Sequence, residues 1–281
     1  MTEYFINQDY PTGLEKYFTV VWWDQRGAGL SYSSDIDKST MNYDQFVDDA
    51  IGVTNYLRER FKQDKIYLMA HSFGTSVGIK TVKKAPELYK AYIGMGQETY
   101  QKESEKLAYE YMLDYYKKIG DENTLHKLEK VLCPSKEYDK IRDSAMHKAG
   151  IGTARNIHSV VKDVFFSSLT NKEYTLTEKI NIWRGKIFSA SSKIREESEL
   201  LDLREEIKSL ELPVYFISGE YDYTVNYKMS EYYLQSLKAP VKGFYLYHNS
   251  AHSPIFEEPE KTAEIIQSDI LKLKNDNADI K

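Results

Sequence analysis

Short apolar runs alternate with longer amphipathic runs in the first and last thirds of this chain. An apolar run of four to eight residues bounded by turn residues is typical of a buried strand. Such runs predict strands at 18–23, 65–70, 91–96, 213–219 and 243–247. Because helical patterns separate these strands, we expect an α/β fold with a mostly parallel sheet.

The longer runs predict helices that cover the sheet. The first helix opens at Asn42, which forms a capping box with Gln45. One face of this helix carries Phe46, Val47, Ala50, Val53, Leu57 and Phe61. Pro86 ends the next helix, and further helices are expected near 226–237 and after Pro259.

Between about 99 and 210 the pattern changes, because strand signals nearly vanish and charged segments with helical spacing take over. We interpret 99–210 as a helical cap inserted into a core that comprises 1–98 and 211–281. A cap over the carboxyl ends of the strands would wall the pocket. Its tyrosines are candidates for pocket lining, although a tyrosine stripe more often reflects helix packing: Tyr100, Tyr109, Tyr111, Tyr115 and Tyr116. The polar residues 275–281 are expected to fray.

The strand at 65–70 leads into a turn that carries a serine between small residues. Ser72 has Ala70 two positions before it and Gly74 two positions after it, and a helical pattern follows. This is the layout of a nucleophile elbow, a strained turn that requires small neighbours at those positions. Glycine is usual at both, so Ala70 is a mild departure. The motif alone is weak evidence, because a serine in such a turn is often a helix cap.

A nucleophilic serine needs a histidine to take its proton and a carboxylate to orient that histidine. Asp222 follows the strand at 213–219, and His252 follows the strand at 243–247. The order serine, aspartate, histidine is that of α/β-hydrolases. The sequence therefore predicts a triad of Ser72, Asp222 and His252.

Two other residues compete for these roles. Glu220 lies two positions before Asp222, and His248 lies near His252. We favour His252, because His248 directly abuts its strand whereas His252 lies in the loop, from which a side chain reaches Ser72. The simpler alternatives are that Asp222 is an ordinary turn residue and that His252 is a surface histidine.

Composition excludes several classes of function. The chain has 281 residues, a net charge of −5, six histidines without metal-ligand spacing and one cysteine, Cys133. Clustered cations of a nucleic-acid site are missing, and no apolar stretch approaches the length of a membrane span. A lone cysteine excludes an internal disulfide and favours a reducing compartment. We therefore expect a cytoplasmic protein with neither a nucleic-acid nor a membrane partner.

These motifs resemble the prolyl iminopeptidase branch of the α/β-hydrolase superfamily. The resemblance rests on Trp23-Asp24-Gln25-Arg26-Gly27-Ala28-Gly29-Leu30-Ser31, Ala70-His71-Ser72-Phe73-Gly74, Gly219-Glu220-Tyr221-Asp222, and Ala251-His252-Ser253-Pro254 with Glu258-Pro259. It covers both parts of the core, and the cap only in placement. It implies that Ser72 is the nucleophile, His252 the general base and acid, and Asp222 the orienting carboxylate, with no metal or organic cofactor. The family releases an N-terminal residue, often proline, from short peptides, and relatives hydrolyse other small amides or esters.

One motif of that family is missing from the sequence. Its enzymes carry a His-Gly-Gly-Pro-Gly loop before the Asp-Gln-Arg-Gly strand, and that loop supplies one of the two N–H donors of the oxyanion hole. This chain begins at Met1, a few residues after the point where the loop would end. The backbone N–H of Phe73 can still supply the other donor. Loss of one donor is expected to cost roughly 3 to 4 kcal/mol, or about 100- to 1,000-fold in rate.

The resemblance also implies an N-terminally incomplete sheet. The strand before the missing loop lies, in this fold, between the strands at 18–23 and 65–70. Without it, buried backbone groups lack partners unless those two strands close up. We hypothesise that the sequence is an N-terminally truncated form of a longer hydrolase, which the coding sequence upstream of Met1 would test.

Substrate specificity is less defined than the chemistry. We do not carry over proline specificity, because the family's Glu-Asn-His-Tyr-Phe setting for the substrate amino group is missing. Acidic residues near the cap are alternatives for that role, although such residues more often form a solvated face: Glu98, Glu103, Glu196, Glu197 and Glu199.

The sequence thus predicts a serine hydrolase for small amides or esters, with aminopeptidase as the leading subclass and a small molecule or short peptide as substrate. The alternative is a catalytically impaired relative that binds a small molecule in the cap pocket without turnover. An intact triad argues against that alternative. The oligomeric state is left open.

Overall fold

Four parallel strands form the sheet, in the order β1-β2-β3-β4. The computed structural model describes residues 4–281. The strands are β1 (Ile66–His71), β2 (Tyr89–Met95), β3 (Val214–Gly219) and β4 (Lys242–Tyr247). Every neighbouring pair runs parallel, so the carboxyl ends of all four strands meet at one edge. The prediction of a parallel sheet is confirmed.

Helices cover both faces of this sheet. One face carries α1 (Tyr43–Phe61), α2 (Phe73–Lys84) and α10 (Tyr227–Ser236), and the other carries α11 (Pro254–Glu257) and α12 (Pro259–Ser268). The buried strand residues alternate between the two faces, as period-2 geometry requires. On β3, for example, Phe216 packs toward α10 and Ile217 packs toward α12.

Helix α1 begins as the sequence predicts. The Asn42 side chain accepts a hydrogen bond from the Gln45 amide at 3.0 Å. The Gln45 side chain bonds to Asp49 instead of returning to Asn42, so only half of the capping box forms. Asp49 also receives both hydrogen bonds of a bidentate pair with Arg26, each at 2.7 Å. This pair fixes the Asp-Gln-Arg-Gly loop to α1.

The part of the chain between β2 and β3 is helical. Its helices are α3 (Gln101–Ile119), α4 (Glu122–Glu129), α5 (Lys136–Lys148), α6 (Phe166–Thr170), α7 (Leu176–Ala190), α8 (Lys193–Leu200) and α9 (Leu203–Glu206), with a π-helical turn at Val160–Phe165. Helices α3 to α5 share an apolar cluster that buries Tyr116 and Tyr138. Helix packing therefore accounts for part of the tyrosine stripe.

The predicted strand at 18–23 is wrong. This segment has no regular secondary structure, and Val21 is 46% exposed. It contacts β1 through side chains; for example, the ring centres of Phe18 and Tyr67 are 5.3 Å apart. Within the described residues no strand pairs with the outer side of β1, so β1 is an edge strand with half-buried residues. Residues 18–23 and β1 therefore do not pair through backbone hydrogen bonds. An apolar run without such a partner does not form a strand.

The prediction that residues 275–281 fray is also wrong. The Phe244 amide donates to the Ile280 carbonyl and the Asp279 amide donates to the Phe244 carbonyl, both at 2.9 Å. The Asp279 carboxylate accepts from the Leu246 amide at 2.8 Å. The chain terminus therefore lies antiparallel along the free edge of β4 and satisfies part of its backbone.

None of the helices in the described range 4–281 is long and apolar enough to cross a membrane.

Candidate active site

Ser72 lies in the turn between β1 and α2, as the elbow motif predicts. Its backbone has φ 53° and ψ −130°, a strained conformation for a residue with a side chain. Three hydrogen bonds hold the turn. The Ser72 amide donates to the Met95 carbonyl at 3.0 Å, and the Ser72 carbonyl accepts from the Thr75 amide at 2.8 Å and from the Thr75 hydroxyl at 2.5 Å. Strain of this kind persists only where surrounding contacts impose it.

The alanine at position 70 is accommodated by a glycine further along. A Cβ atom at Gly78 would lie only 2.9 Å from the Ala70 Cβ and 2.9 Å from the Tyr92 ring. Helix α2 therefore packs directly on β1 and β2 because residue 78 has no side chain. Gly78, in the second turn of α2, thus provides the space that a glycine at position 70 would otherwise give.

Asp222 and His252 form a buried pair beside this turn. The His252 Nδ1 atom lies 2.8 Å from Asp222 Oδ2, and the two side chains are 8% and 0% exposed. The other carboxylate oxygen of Asp222 accepts from the Val225 amide at 2.8 Å. Because Nδ1 donates to the carboxylate, Nε2 of a neutral His252 ring is free to accept a proton.

The two competing residues pair with each other at the surface. His248 Nδ1 lies 2.8 Å from Glu220 Oε2, with side chains 64% and 43% exposed. An exposed pair of this kind has little effect on the pKa or orientation of a distant group. The choice between the two histidines therefore rests on burial, which favours His252.

The contact between the serine and the histidine is the least complete part of the site. Within the described residues no hydrogen bond joins the Ser72 hydroxyl to the His252 ring. The ring of His71 lies 4.5 Å from that of His252, and His71 Nε2 donates to the His252 carbonyl at 2.5 Å. Catalytic hydrogen bonds are often long in the absence of substrate.

Gly96 is a residue of this site that sequence reasoning missed. It follows β2 with φ 54°, and a Cβ atom there would lie 3.0 Å from His252 Cε1 and 3.1 Å from Asp222 Oδ2. The Asp222–His252 pair thus packs against bare backbone. A glycine directly after a strand at the carboxyl edge is the signal that points to such a position.

Phe73 contributes its backbone and its ring to different environments. Its amide opens α2 directly after Ser72, where the first N–H groups of a helix have no intrahelical acceptor and favour an anion. Its ring stacks on Tyr43 at 5.9 Å and meets Phe46 edge-on at 6.1 Å. The contacts of the Phe73 ring in the core therefore fix the position of the first turn of α2, and with it the position of the Phe73 N–H.

The acidic candidates divide by environment. Glu98 is half-buried after β2, its amide donates to Thr75 Oγ1 at 2.9 Å, and burial raises the pKa of its carboxyl to about 7. Glu197 accepts from the Tyr43 amide at 3.0 Å and so caps α1. Three lie on helix surfaces, where two pair with neighbouring cations: Glu103, Glu196 and Glu199.

Metal ligands are not clustered in the part of the chain that the structure describes. No group of three or more His, Cys, Asp or Glu residues among these residues is arranged to hold a metal ion.

Similarity to solved structures places this chain in the α/β-hydrolase fold class. The crystal structure of VinJ has a TM-score of 0.65 at 14% identity and covers 90% of this chain and 80% of its own. The proline iminopeptidase of Mycobacterium smegmatis has a TM-score of 0.57 at 14% identity and covers 87% and 77%. At these identities the likeness concerns the fold alone.

Sequence comparisons narrow the class to a family. Residues 15–164 match the family described as "Serine aminopeptidase, S33". The chain is 32% identical over 263 residues to "Probable aminopeptidase YbaC" of Bacillus subtilis (strain 168), covering 92% of this chain and 81% of that protein. The chain belongs to the S33 serine aminopeptidase family, and it is an α/β-hydrolase.

Proposed function

We propose that this protein is a serine hydrolase that cleaves small amide or ester substrates through Ser72, His252 and Asp222. The observation that carries the proposal is the buried Asp222–His252 pair, 2.8 Å between Oδ2 and Nδ1, beside a serine held at positive φ. A binding protein has no use for a buried carboxylate aimed at a histidine. A hydrolase needs both, to activate a serine that is a weak nucleophile at neutral pH.

The mechanism follows from the roles of these atoms. Ser72 Oγ attacks the substrate carbonyl while His252 Nε2 accepts its proton. Asp222 holds the ring through Nδ1 and stabilises the imidazolium that forms. The proton then passes from His252 to the leaving group, and an acyl group remains on Ser72. Water activated by His252 releases the acid and restores the serine.

Charge on the tetrahedral oxygen needs N–H donors. In this proposal the Phe73 amide at the start of α2 is one donor, aided by the partial positive charge of the helix N-terminus. Its position directly after Ser72 matches the geometry of nucleophile elbows.

The leading substrate class is a short peptide or aminoacyl amide with a free amino group. The S33 family membership and the relative named as an aminopeptidase support this class. Helices α3 to α9, between β2 and β3, would form the cap, residues 99–210, that closes over the substrate. We further propose a cytoplasmic location, with no nucleic-acid or membrane partner.

A second candidate function is binding without turnover. The observation that favours it is the open link between the Ser72 hydroxyl and the His252 ring, which no hydrogen bond spans in the described residues. An impaired relative would keep the fold and the pocket but hydrolyse nothing.

Hydrolysis of a small substrate panel distinguishes the two candidates. The panel contains alanyl and prolyl p-nitroanilides, their N-acetylated forms and p-nitrophenyl acetate, with Ser72→Ala as the control. We expect turnover by the wild type that the variant loses, and faster cleavage of the anilides with a free amine. Equal rates for wild type and Ser72→Ala on every substrate would refute the proposal.

A further inference from the structure

Glu257 binds the backbone directly before His252. It is the last residue of α11 and is half-buried. Its carboxylate accepts from the Ala251 amide at 2.8 Å, and the nearby Ser253 amide also favours its ionised form. The mechanism above assigns no role to this residue. Hydrogen bonds from backbone N–H groups to an ionised carboxylate are among the stronger ones in proteins.

The same carboxylate also binds the segment between α5 and the π-helical turn. Its second oxygen accepts from the Arg155 amide at 2.7 Å. One side chain therefore joins two parts of the chain that are 102 positions apart. Burial raises the pKa of Glu257, whereas the three N–H groups favour the ionised form.

Residues 150–155, which we call the cap segment, make further contacts with both loops of the Asp222–His252 pair. The His252 amide donates to the Gly152 carbonyl at 3.3 Å. The Arg155 guanidinium lies 3.7 Å from the ring centre of Tyr221, the residue before Asp222, and donates to the Gly150 carbonyl at 2.7 Å. The cap segment thus contacts the loop of the histidine and the loop of the aspartate.

We propose that Glu257 is a positioning residue that couples the cap segment to His252, so that an ordered cap segment and a correctly placed imidazole depend on each other. The effect on catalysis rests on the proposed function, whereas the coupling itself does not. Displacement of a catalytic group by about 1 Å can cost about 100-fold in rate. A carboxylate that binds both residue 251 and the cap segment limits how far residue 252 can move.

The neighbouring Glu258 provides a matched control. It accepts from the Ser250 hydroxyl at 2.5 Å and from the Asn249 amide at 3.2 Å, so it also supports the histidine loop. These side-chain contacts lie before residue 251, and within the described residues none of them reaches the cap segment. Glu257→Gln and Glu258→Gln therefore remove equal charge from adjacent positions.

The test combines hydrogen–deuterium exchange with labelling of Ser72 by a fluorophosphonate. In Glu257→Gln an NH2 group replaces one carboxylate oxygen, so the side chain can no longer accept from the Ala251 amide and the Arg155 amide together. We expect the peptides covering 150–156 and 249–254 to exchange faster together, by roughly 10-fold, and labelling to slow by about 10- to 100-fold. Glu258→Gln should leave the exchange of 150–156 unchanged, and Glu257→Asp should retain more of the labelling rate than Glu257→Gln.

Several results would overturn the coupling. These are wild-type protection of 150–156 in Glu257→Gln, faster exchange spread evenly over the whole chain, or the same loss at 150–156 in Glu258→Gln. If Glu257→Gln does not fold, Glu257→Asp decides by the same comparison of peptides. If the wild type itself is not labelled, the proposed function fails, and the exchange data still decide whether the coupling exists.

Discussion

Replacing Gly96 with alanine tests how closely the Asp222–His252 pair depends on bare backbone. The new Cβ would lie 3.0 Å from His252 Cε1, 3.1 Å from His252 Nδ1 and 3.1 Å from Asp222 Oδ2. Contacts this short force the neighbours to shift by a few tenths of an ångström. Because both neighbours belong to the proposed triad, the shift should reduce activity as well as stability.

Gly120 separates the two effects. It has φ 71°, close to the 54° of Gly96, but a Cβ atom there meets no atom of the described residues within 4 Å. Alanine in the left-handed region costs about 1 to 2 kcal/mol, so Gly120→Ala should lose that much and keep its activity. Overpacking adds about 1 to 3 kcal/mol, so Gly96→Ala should lose about 2 to 5 kcal/mol.

The assay is urea unfolding together with kcat/KM for p-nitrophenyl acetate, measured on both variants and the wild type. We expect kcat/KM of Gly96→Ala to fall by about 10- to 100-fold, since small displacements of a catalytic group have large effects on rate. Equal stability and equal kcat/KM for Gly96→Ala and Gly120→Ala would refute the reasoning, because strain alone would then explain the loss.

Three further predictions concern the triad, a buried carboxyl and the chain terminus. Asp222→Asn should lower kcat by about 10,000-fold, because an amide facing Nδ1 favours the wrong tautomer of His252; Glu220→Gln should change kcat little, and a comparable loss in both would contradict the choice of carboxylate. Burial raises the pKa of Glu98 from 4.5 to about 7, so the folded state keeps a proton that the unfolded state loses, and stability falls as pH rises through this range. In urea unfolding, the stability of Glu98→Gln relative to wild type should therefore rise by roughly 2 kcal/mol between pH 5 and pH 8, and a constant difference would argue against the raised pKa. Removal of residues 275–281 should cost about 2 to 3 kcal/mol, because hydrogen bonds worth about 1 kcal/mol each are lost from the edge of β4; an unchanged urea midpoint would contradict the role of this edge.

Local sequence signals predicted the elements that depend on local chemistry. The Ser72 turn is fixed by small neighbours within a few residues, and the start of α1 is fixed by the Asn42 side chain three positions before the amide it caps. The alternation of strands and helices also predicted that Asp222 and His252 each lie in a loop directly after a strand. These features need no knowledge of distant parts of the chain.

The features that were missed depend on contacts between distant residues. The run at 18–23 has the composition of a strand but has no ladder partner among residues 4–281. The polar tail is ordered by Phe244, 36 positions before Ile280. Gly96 matters because His252 lies against it, and Glu257 matters because the Arg155 amide reaches it. Apart from the position of Gly96 directly after a strand, no periodicity or motif encodes such approaches, so only the folded chain shows them.

The most direct test of the central claim is fluorophosphonate labelling of the purified, folded protein, with the labelled residue mapped by mass spectrometry. The account predicts one adduct, on Ser72, that is lost in Ser72→Ala and strongly slowed in Asp222→Asn and His252→Gln. An unlabelled wild type that is fully folded, or an adduct on another residue, would contradict it.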